Sequence, residues 1–458
     1  MLSIIKKREC ILLFTAFFLV FSSHAHESCK IAVIGTGYVG LVTGAGLAEL
    51  GHNVCCVDID KKKIDQLQQG IIPIYEIGLD ELVHKNVNKG TLRFSTDIEK
   101  VIREIDIIFI AVGTPSMPDG RADLTAVKAV IEAIKENSHT SKIVCVKSTV
   151  PIGTCRQLAQ MIDCDNHNIV IISNPEFLRE GFAVQDFFNP SRIVVGTEFT
   201  EQAEIMRTIY APFLDKNIPF LCTDLVSAEA IKYASNAFLA VKVTYINEIA
   251  QLCSAVGANI NAVATGMGLD DRIGNKFLSP GPGFGGYCFP KDATALVRTA
   301  EEAGVALRVV TSCIEANKHH KHYIVQKTAE LCGDGLCGKT VAVWGLAFKA
   351  NTDDVRESAA IDIINEFLKM GATVKAYDPM AQENMKQIIP NILYCDTKEQ
   401  VLDCSDVLVI LTEWQEFKEF DYDRLVDYIN RVAVIDTRDV VPAVAAKRNV
   451  NSIYKLGC

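Results

Sequence analysis

The chain has 458 residues, room for two or three domains. It is 49% hydrophobic and 22% charged, an ordinary globular balance. Its net charge of −10 excludes a broad nucleic-acid-binding surface but leaves room for a local basic pocket that holds a phosphorylated small molecule. In chain order, Lys6, Lys7 and Arg8 come first, ahead of an apolar run from Cys10 to Phe21. Ser23-His24-Ala25 then resembles a small-x-small cleavage site. The run is too short for a comfortable membrane span. Residues 1–29 are therefore expected to be a signal-like extension, and no membrane association is expected.

Lys30 to Ile34 is a short apolar run and reads as a buried strand. Gly35-Thr36-Gly37-Tyr38-Val39-Gly40 follows at once, then a helical pattern through Leu47 and Leu50, closed by Gly51. A second strand, Asn53 to Val57, ends in Asp58. Strand, G-x-G-x-x-G, helix, strand and terminal acid make a dinucleotide-binding unit. Gly35, Gly37 and Gly40 permit the tight turn and the approach of a diphosphate, whose charge the helix N-terminus receives. Asp58 is placed for the adenine-ribose hydroxyls and repels a 2′-phosphate, which favours NAD over NADP; Lys61, Lys62 and Lys63 temper that preference. Further strands are expected at Ile105 to Val112, Lys142 to Lys147, Asn168 to Ile172 and Arg192 to Val195. Polar loops follow them, Gly113-Thr114-Pro115, Ser148 to Pro151 and Asn174-Pro175-Glu176, at the strand ends where open α/β sheets bind ligands.

Asp224 to Val256 is helical in pattern, with neither proline nor glycine. At 1.5 Å per residue it spans roughly 50 Å, a spine between domains and a candidate dimer surface. Lys232 and Asn236 lie four apart on one face. Lys232 is either a snorkelling surface residue or a functional cation in a partly dry cleft.

Gly281-Pro282-Gly283-Phe284-Gly285-Gly286-Tyr287-Cys288-Phe289-Pro290-Lys291-Asp292 combines four glycines with a cysteine and a Pro-Lys-Asp run. Proline and an acid suit a first helical turn, so Cys288 is expected just ahead of a helix whose dipole favours its thiolate. The glycines leave room for a ligand. The other cysteines are scattered without C-x-x-C pairs, and Cys332 and Cys337 have no second pair, so neither a disulfide framework nor a metal site is expected.

A second α/β unit starts at Lys339, with strands at Thr340 to Trp344, Thr373 to Tyr377, Val407 to Leu411 and Val432 to Ile435. It lacks the full glycine fingerprint and either binds a nucleotide other than NAD or is structural. The fold class is thus α/β, two Rossmann-like doubly wound domains joined by a long central helix. The expected divisions are 1–29, 30–223, 224–328 and 329–458.

Several motifs in order carry a family resemblance over Lys30 to the C-terminus: Lys30 to Gly40, Lys147 to Pro151, Asn174 to Gly181, Lys232 to Asn236, Arg272 to Leu278, Gly283 to Asp292 and Phe348 to Ser358. Together they resemble the NAD-dependent UDP-glucose and GDP-mannose dehydrogenases. The Gly-Phe-Gly-Gly-x-Cys-Phe-Pro-Lys-Asp form and the run Asp271 to Asn275 favour UDP-glucose over other nucleotide sugars. The resemblance implies a four-electron oxidation of UDP-glucose to UDP-glucuronate, through a thiohemiacetal and a thioester on Cys288. The alternatives are another UDP-hexose or GDP-mannose as substrate, or a nucleotide-sugar binding protein without catalysis.

By the same resemblance, Lys232 and Asp292 stabilise or relay protons, Asn236 holds the substrate, and Glu176 is the base for thioester hydrolysis. Val39, Asp58, Lys63, Thr114, Thr149, Glu180, Lys291 and Arg356 match NAD contacts, Thr149 with a share in catalysis. Glu176, Phe177, Leu178, Arg179 and Glu180, then Phe277, Leu278, Ser279, Pro280 and Gly281, with Gly285 and Lys349, match UDP-sugar contacts, and Arg438 adds charge near the diphosphate. Arg272 resembles an arginine lent to a neighbouring subunit's site, implying at least a homodimer. NAD and UDP-glucose are cytoplasmic metabolites, so a cytoplasmic enzyme is expected despite the N-terminal extension. Tyr287 stands where the family usually has serine, pointing outward or narrowing the pocket.

Overall fold

The computed structural model describes residues 27–163, 169–333, 335–425, 433–442 and 452–458; the signal-like segment at 1–25 lies outside them. Lys30–Ile34 forms strand β1 and Asn53–Val57 forms β2, as the apolar runs predict. With Leu92–Ser95 (β3), Ile107–Ile110 (β4), Lys142–Val146 (β5), Ile169–Ser173 (β6), Ile193–Gly196 (β7) and Phe220–Thr223 (β8) they make one sheet, ordered β3-β2-β1-β4-β5-β6-β7-β8. All pairings are parallel except β6 with β7, which meet antiparallel at Ser173 and Gly196. The runs are continuously apolar because both faces are covered: Ile31 and Val33 pack into one core, Ala32 and Ile34 into the other. The order reverses between β2-β1 and β4, the switch point where a doubly wound sheet opens its ligand crevice.

A second sheet, β11-β10-β9-β12-β13-β14, repeats the plan. Its strands are Thr340–Trp344 (β9), Thr373–Tyr377 (β10), Leu393–Tyr394 (β11), Val407–Ile410 (β12), Ala433–Asp436 (β13) and Ser452–Lys455 (β14). Here Val341 and Val343 face one core, Ala342 and Trp344 the other.

The helix Leu225–Val256 joins the two sheets over 32 residues. Asp224 opens it by accepting the Ser227 N–H at 2.9 Å, and Gly257 closes it in the left-handed region. The helices Cys288–Glu302 and Arg308–Leu331 pack on it. Arg308–Leu331 runs across position 328, where the sequence suggested a division, because its C-terminal half (Ile324, Val325, Ala329) packs into a core of the second sheet. Among the described residues no helix is long and apolar enough to cross a membrane, and no cluster of ligating side chains could hold a metal ion.

Candidate active site

The crevice of the first sheet begins at Gly35, whose φ of +104° and closeness to the Ala111 carbonyl admit no side chain. Gly37 is different: nothing stands within 4 Å of the place a Cβ would take. Gly113, after β4, has the same open space. Beside them Val39 is half-buried at the helix start. Asp58 accepts the Thr36 N–H at 2.9 Å and its hydroxyl at 2.7 Å on one oxygen, and the Asp60 N–H at 3.0 Å on the other. Burial pushes the Asp58 pKa up, but these hydrogen bonds and nearby Lys63 outweigh it and hold the carboxyl below its usual value. Thr114 donates its hydroxyl to the Thr149 carbonyl at 2.8 Å, tying the loops after β4 and β5 together. Glu180 leaves one buried oxygen, Oε2, with no partner. An open glycine cradle at a helix N-terminus, an ionised acid after β2 and an orphaned buried acceptor fit NAD.

Beyond this cradle lies a compact polar cluster. Lys232 and Glu176 are both buried and form an ion pair at 2.9 Å. The other Glu176 oxygen accepts the Leu178 N–H at 2.5 Å. Burial opposes the charge on both, but each partner outweighs it: the Lys232 pKa is raised and that of Glu176 lowered. Lys232 is therefore a buried, paired cation, not a snorkelling surface residue. One turn along its helix, Asn236 donates to Asp292 at 2.7 Å. Cys288 and Asp292 are themselves one turn apart on the Cys288–Glu302 helix, so two i, i+4 pairs on packed helices face each other.

Cys288 is the first residue of that helix rather than the residue ahead of it, because Tyr287 already has helical φ and ψ. As a residue it is half-buried, yet its thiol is enclosed, and burial pushes its pKa up to about 12 despite Lys232. The thiolate expected from the helix dipole is thus outweighed by desolvation. The ammonium of Lys291 bonds Asp292 at 2.5 Å inside the cluster.

The loop glycines do more than leave room for a ligand. A Cβ on Gly285 would collide with the Glu357 carbonyl, one on Gly286 would sit 2.8 Å from the Phe348 ring, and one on Gly281 would sit 2.8 Å from Arg438. They let the second α/β unit dock against the loop. Arg438 donates to the Leu411 carbonyl and forms an ion pair with Glu413, both at 3.1 Å. Lys349 lies between the rings of Phe182 and Phe348, and burial lowers its pKa. Arg356 bonds Asp354 and reaches Glu180 at 3.2 Å. Leu178 and Leu278 pack in cores, Phe277 holds φ of +63°, and Ser279 and Pro280 lead into Gly281. Phe177 is stacked under the Arg192 guanidinium, 3.6 Å from its ring centre. Arg179 shares the Phe182 ring with Lys349 and is paired with Asp186, whereas Arg272, 89% exposed, is paired with Asp270.

Sequence reasoning missed four residues. Asn247 accepts the Gly281 N–H at 2.9 Å, Asn317 both accepts the Phe284 N–H and donates to its carbonyl, and His320 bonds the Gly281 carbonyl at 2.7 Å. Lys147, inside a quoted motif without a role, is buried and donates to Asn174, with burial pushing its pKa down to about 8.

Three profiles of one family match the chain in order: its NAD binding domain at 29–214, its central domain at 226–319 and its UDP binding domain at 342–443. The chain is 43% identical over 430 residues to a UDP-glucose 6-dehydrogenase of Rickettsia felis, covering 93% of this chain and 96% of the relative. It is 46% identical over 415 residues to the UDP-glucose 6-dehydrogenase TuaD of Bacillus subtilis, covering 90% and 89%. A UDP-glucose dehydrogenase from the archaeon Pyrobaculum islandicum superposes with a TM-score of 0.88 at 35% identity, covering 96% of this chain and all of that one.

Proposed function

The chain belongs to the UDP-glucose/GDP-mannose dehydrogenase family, and we propose on that premise that its oxidation of UDP-glucose by NAD passes through a thioester on Cys288. The observation that carries this reading is the junction of Cys288 with the Lys232–Glu176 and Asn236–Asp292 pairs, between an NAD cradle and a UDP-binding domain. Bound NAD supplies the two-electron acceptor, used twice per sugar, so one UDP-glucose and one water give UDP-glucuronate and two NADH.

The residues divide the remaining work. Lys349 and Arg438 hold the diphosphate, with the Phe277–Gly281 and Glu176–Glu180 segments along the nucleotide sugar. Asn236 and Lys232 orient the C6 oxygen. Lys232 stays charged, so it stabilises oxyanion character as alcohol becomes aldehyde and as the Cys288 sulfur adds to C6. The thiol proton passes to the C6 oxygen as the C–S bond forms and the C=O π bond breaks, and the covalent thiohemiacetal retains the aldehyde. After the second oxidation Glu176, held ionised, takes a proton from water that attacks the thioester, and the C–S bond breaks. Asp292, through Asn236 and Lys291, maintains the charge balance beside the thiol. Thr149 positions the water and the cofactor from the loop after β5. Val39, Asp58, Lys63, Thr114, Glu180, Lys291 and Arg356 line the NAD site.

The enzyme works as at least a homodimer. Phe238, Tyr245, Leu252 and Val256 stand exposed along one side of the central helix, a stripe apolar enough to seat a second copy, and Arg272, exposed beside Asp270, reaches a neighbour's site. It acts in the cytoplasm, where both substrates are made; every described cysteine being a free thiol supports this. A panel of nucleotide sugars with NAD tests the activity: UDP-glucose yields two NADH per sugar, whereas turnover of another nucleotide sugar alone overturns the reading.

A further inference from the structure

Tyr287, which the family's serine does not explain, stands where three parts of the molecule meet. Its backbone begins the helix that carries Cys288. Its ring lies under the Arg356 guanidinium of the second α/β unit, 4.3 Å from guanidinium carbon to ring centre. Arg356 is not free to swing, because Asp354 holds it through Nε and Nη2 and Glu180 takes a further bond. Across the crevice, the Tyr287 hydroxyl lies near the Thr114 backbone of the first sheet. Lys291 approaches the same ring, its ammonium 5.5 Å from the centre. The side chain thus does not point outward: it is half-buried against Arg356 and Lys291. It is turned toward the end of the crevice after β4 and β5.

In a sheet of order β3-β2-β1-β4-β5, the adenosine half of a dinucleotide lies over β1 and β2, and the nicotinamide half over β4 and β5. Asp58 and Gly37 belong to the first half; Thr114, Thr149 and Cys288 belong to the second. We infer that Tyr287 is a cofactor-facing residue, its Arg356-stacked ring forming the wall of the nicotinamide half of the NAD site. The inference rests on the reading of the crevice as the NAD site. It assigns to this chain a specificity element that a serine cannot supply, since a serine presents no flat face for a planar ring. Arg356 holds the ring in place with Lys291 beside it, so the wall is pre-assembled before the cofactor arrives.

Binding measurements on the whole protein separate the possibilities. NADH is followed by its own fluorescence, and ADP-ribose, which lacks the nicotinamide, by calorimetry; UDP binding reports on the fold. Tyr287→Phe keeps the ring and binds NADH within about twofold of the native chain. Tyr287→Ser loses the wall and binds NADH about three- to tenfold more weakly, the size of one aromatic contact. ADP-ribose and UDP bind both variants as they bind the native protein. Unchanged or tighter NADH binding by Tyr287→Ser overturns the inference, as does an equal loss for ADP-ribose. If the native protein itself fails to bind NADH and ADP-ribose, the NAD reading falls, a result distinct from a failure of the Tyr287 variants alone.

Discussion

At Cys288, burial and Lys232 pull in opposite directions, and burial wins in the ligand-free site. The thiol therefore stays protonated at neutral pH, and in the proposed reaction it becomes a nucleophile only when the reacting aldehyde lies beside Lys232. This arrangement protects a low-dielectric site from stray electrophiles. It predicts that alkylation of Cys288 by iodoacetamide, followed by peptide mass mapping, rises about tenfold per pH unit through the neutral range. The rise continues to at least pH 10, consistent with a value of about 12. A plateau near pH 8 contradicts it. The i, i+4 spacing of Lys232 with Asn236 and the glycine-flanked Cys288 before a Pro-Lys-Asp run made these positions legible in the sequence, while the role of Asp292 came from the family resemblance. The thiol's protonation was not, because it depends on enclosure that only packed helices create.

The loop Gly281–Tyr287 is an element defined by what pins it. Asn247, Asn317 and His320 hold its backbone from helices 33 to 39 residues away in sequence. Such anchors have no local signal: an asparagine or histidine inside a helix reads as a surface residue until the tertiary fold turns it inward. Asn317→Ala leaves the buried Phe284 N–H and carbonyl without partners and costs about 1–3 kcal/mol. Calorimetric unfolding then shows a lowered Tm, and an unchanged Tm contradicts the role given to Asn317. His320 adds a pH dependence. Burial pushes its pKa from 6.5 down to about 4, so the neutral ring fits the site and the unfolded chain binds the proton more readily. Its contribution is full above pH 6.5 and is lost as pH falls toward 4, which steepens the acid limb of the stability curve.

On the scale of the whole molecule, two sheets of the same plan flank one loop that leads into the Cys288–Glu302 helix and is anchored by Asn247 of the central helix. The interior strands were legible as continuous apolar runs. The edges were not: β8 exposes Leu221 and Cys222, and β11 is two residues long, so neither gives a buried pattern. Nor could the sequence tell that the loop glycines serve domain docking, since Glu357 and Phe348 lie some seventy positions away. The exposed stripe on the central helix belongs to this scale too. Phe238→Glu places a charge in that stripe and is expected to shift the protein to monomer in size-exclusion chromatography with light scattering. An unchanged mass contradicts an interface along this helix.

The claim on which all of this turns is that Cys288 holds the sugar between two oxidations. The most direct measurement is product analysis of Cys288→Ser with UDP-glucose and NAD, alongside calorimetry of UDP-glucose binding. The account predicts binding close to that of the native enzyme and no UDP-glucuronate. Acid formation at the native rate with two NADH per sugar contradicts it.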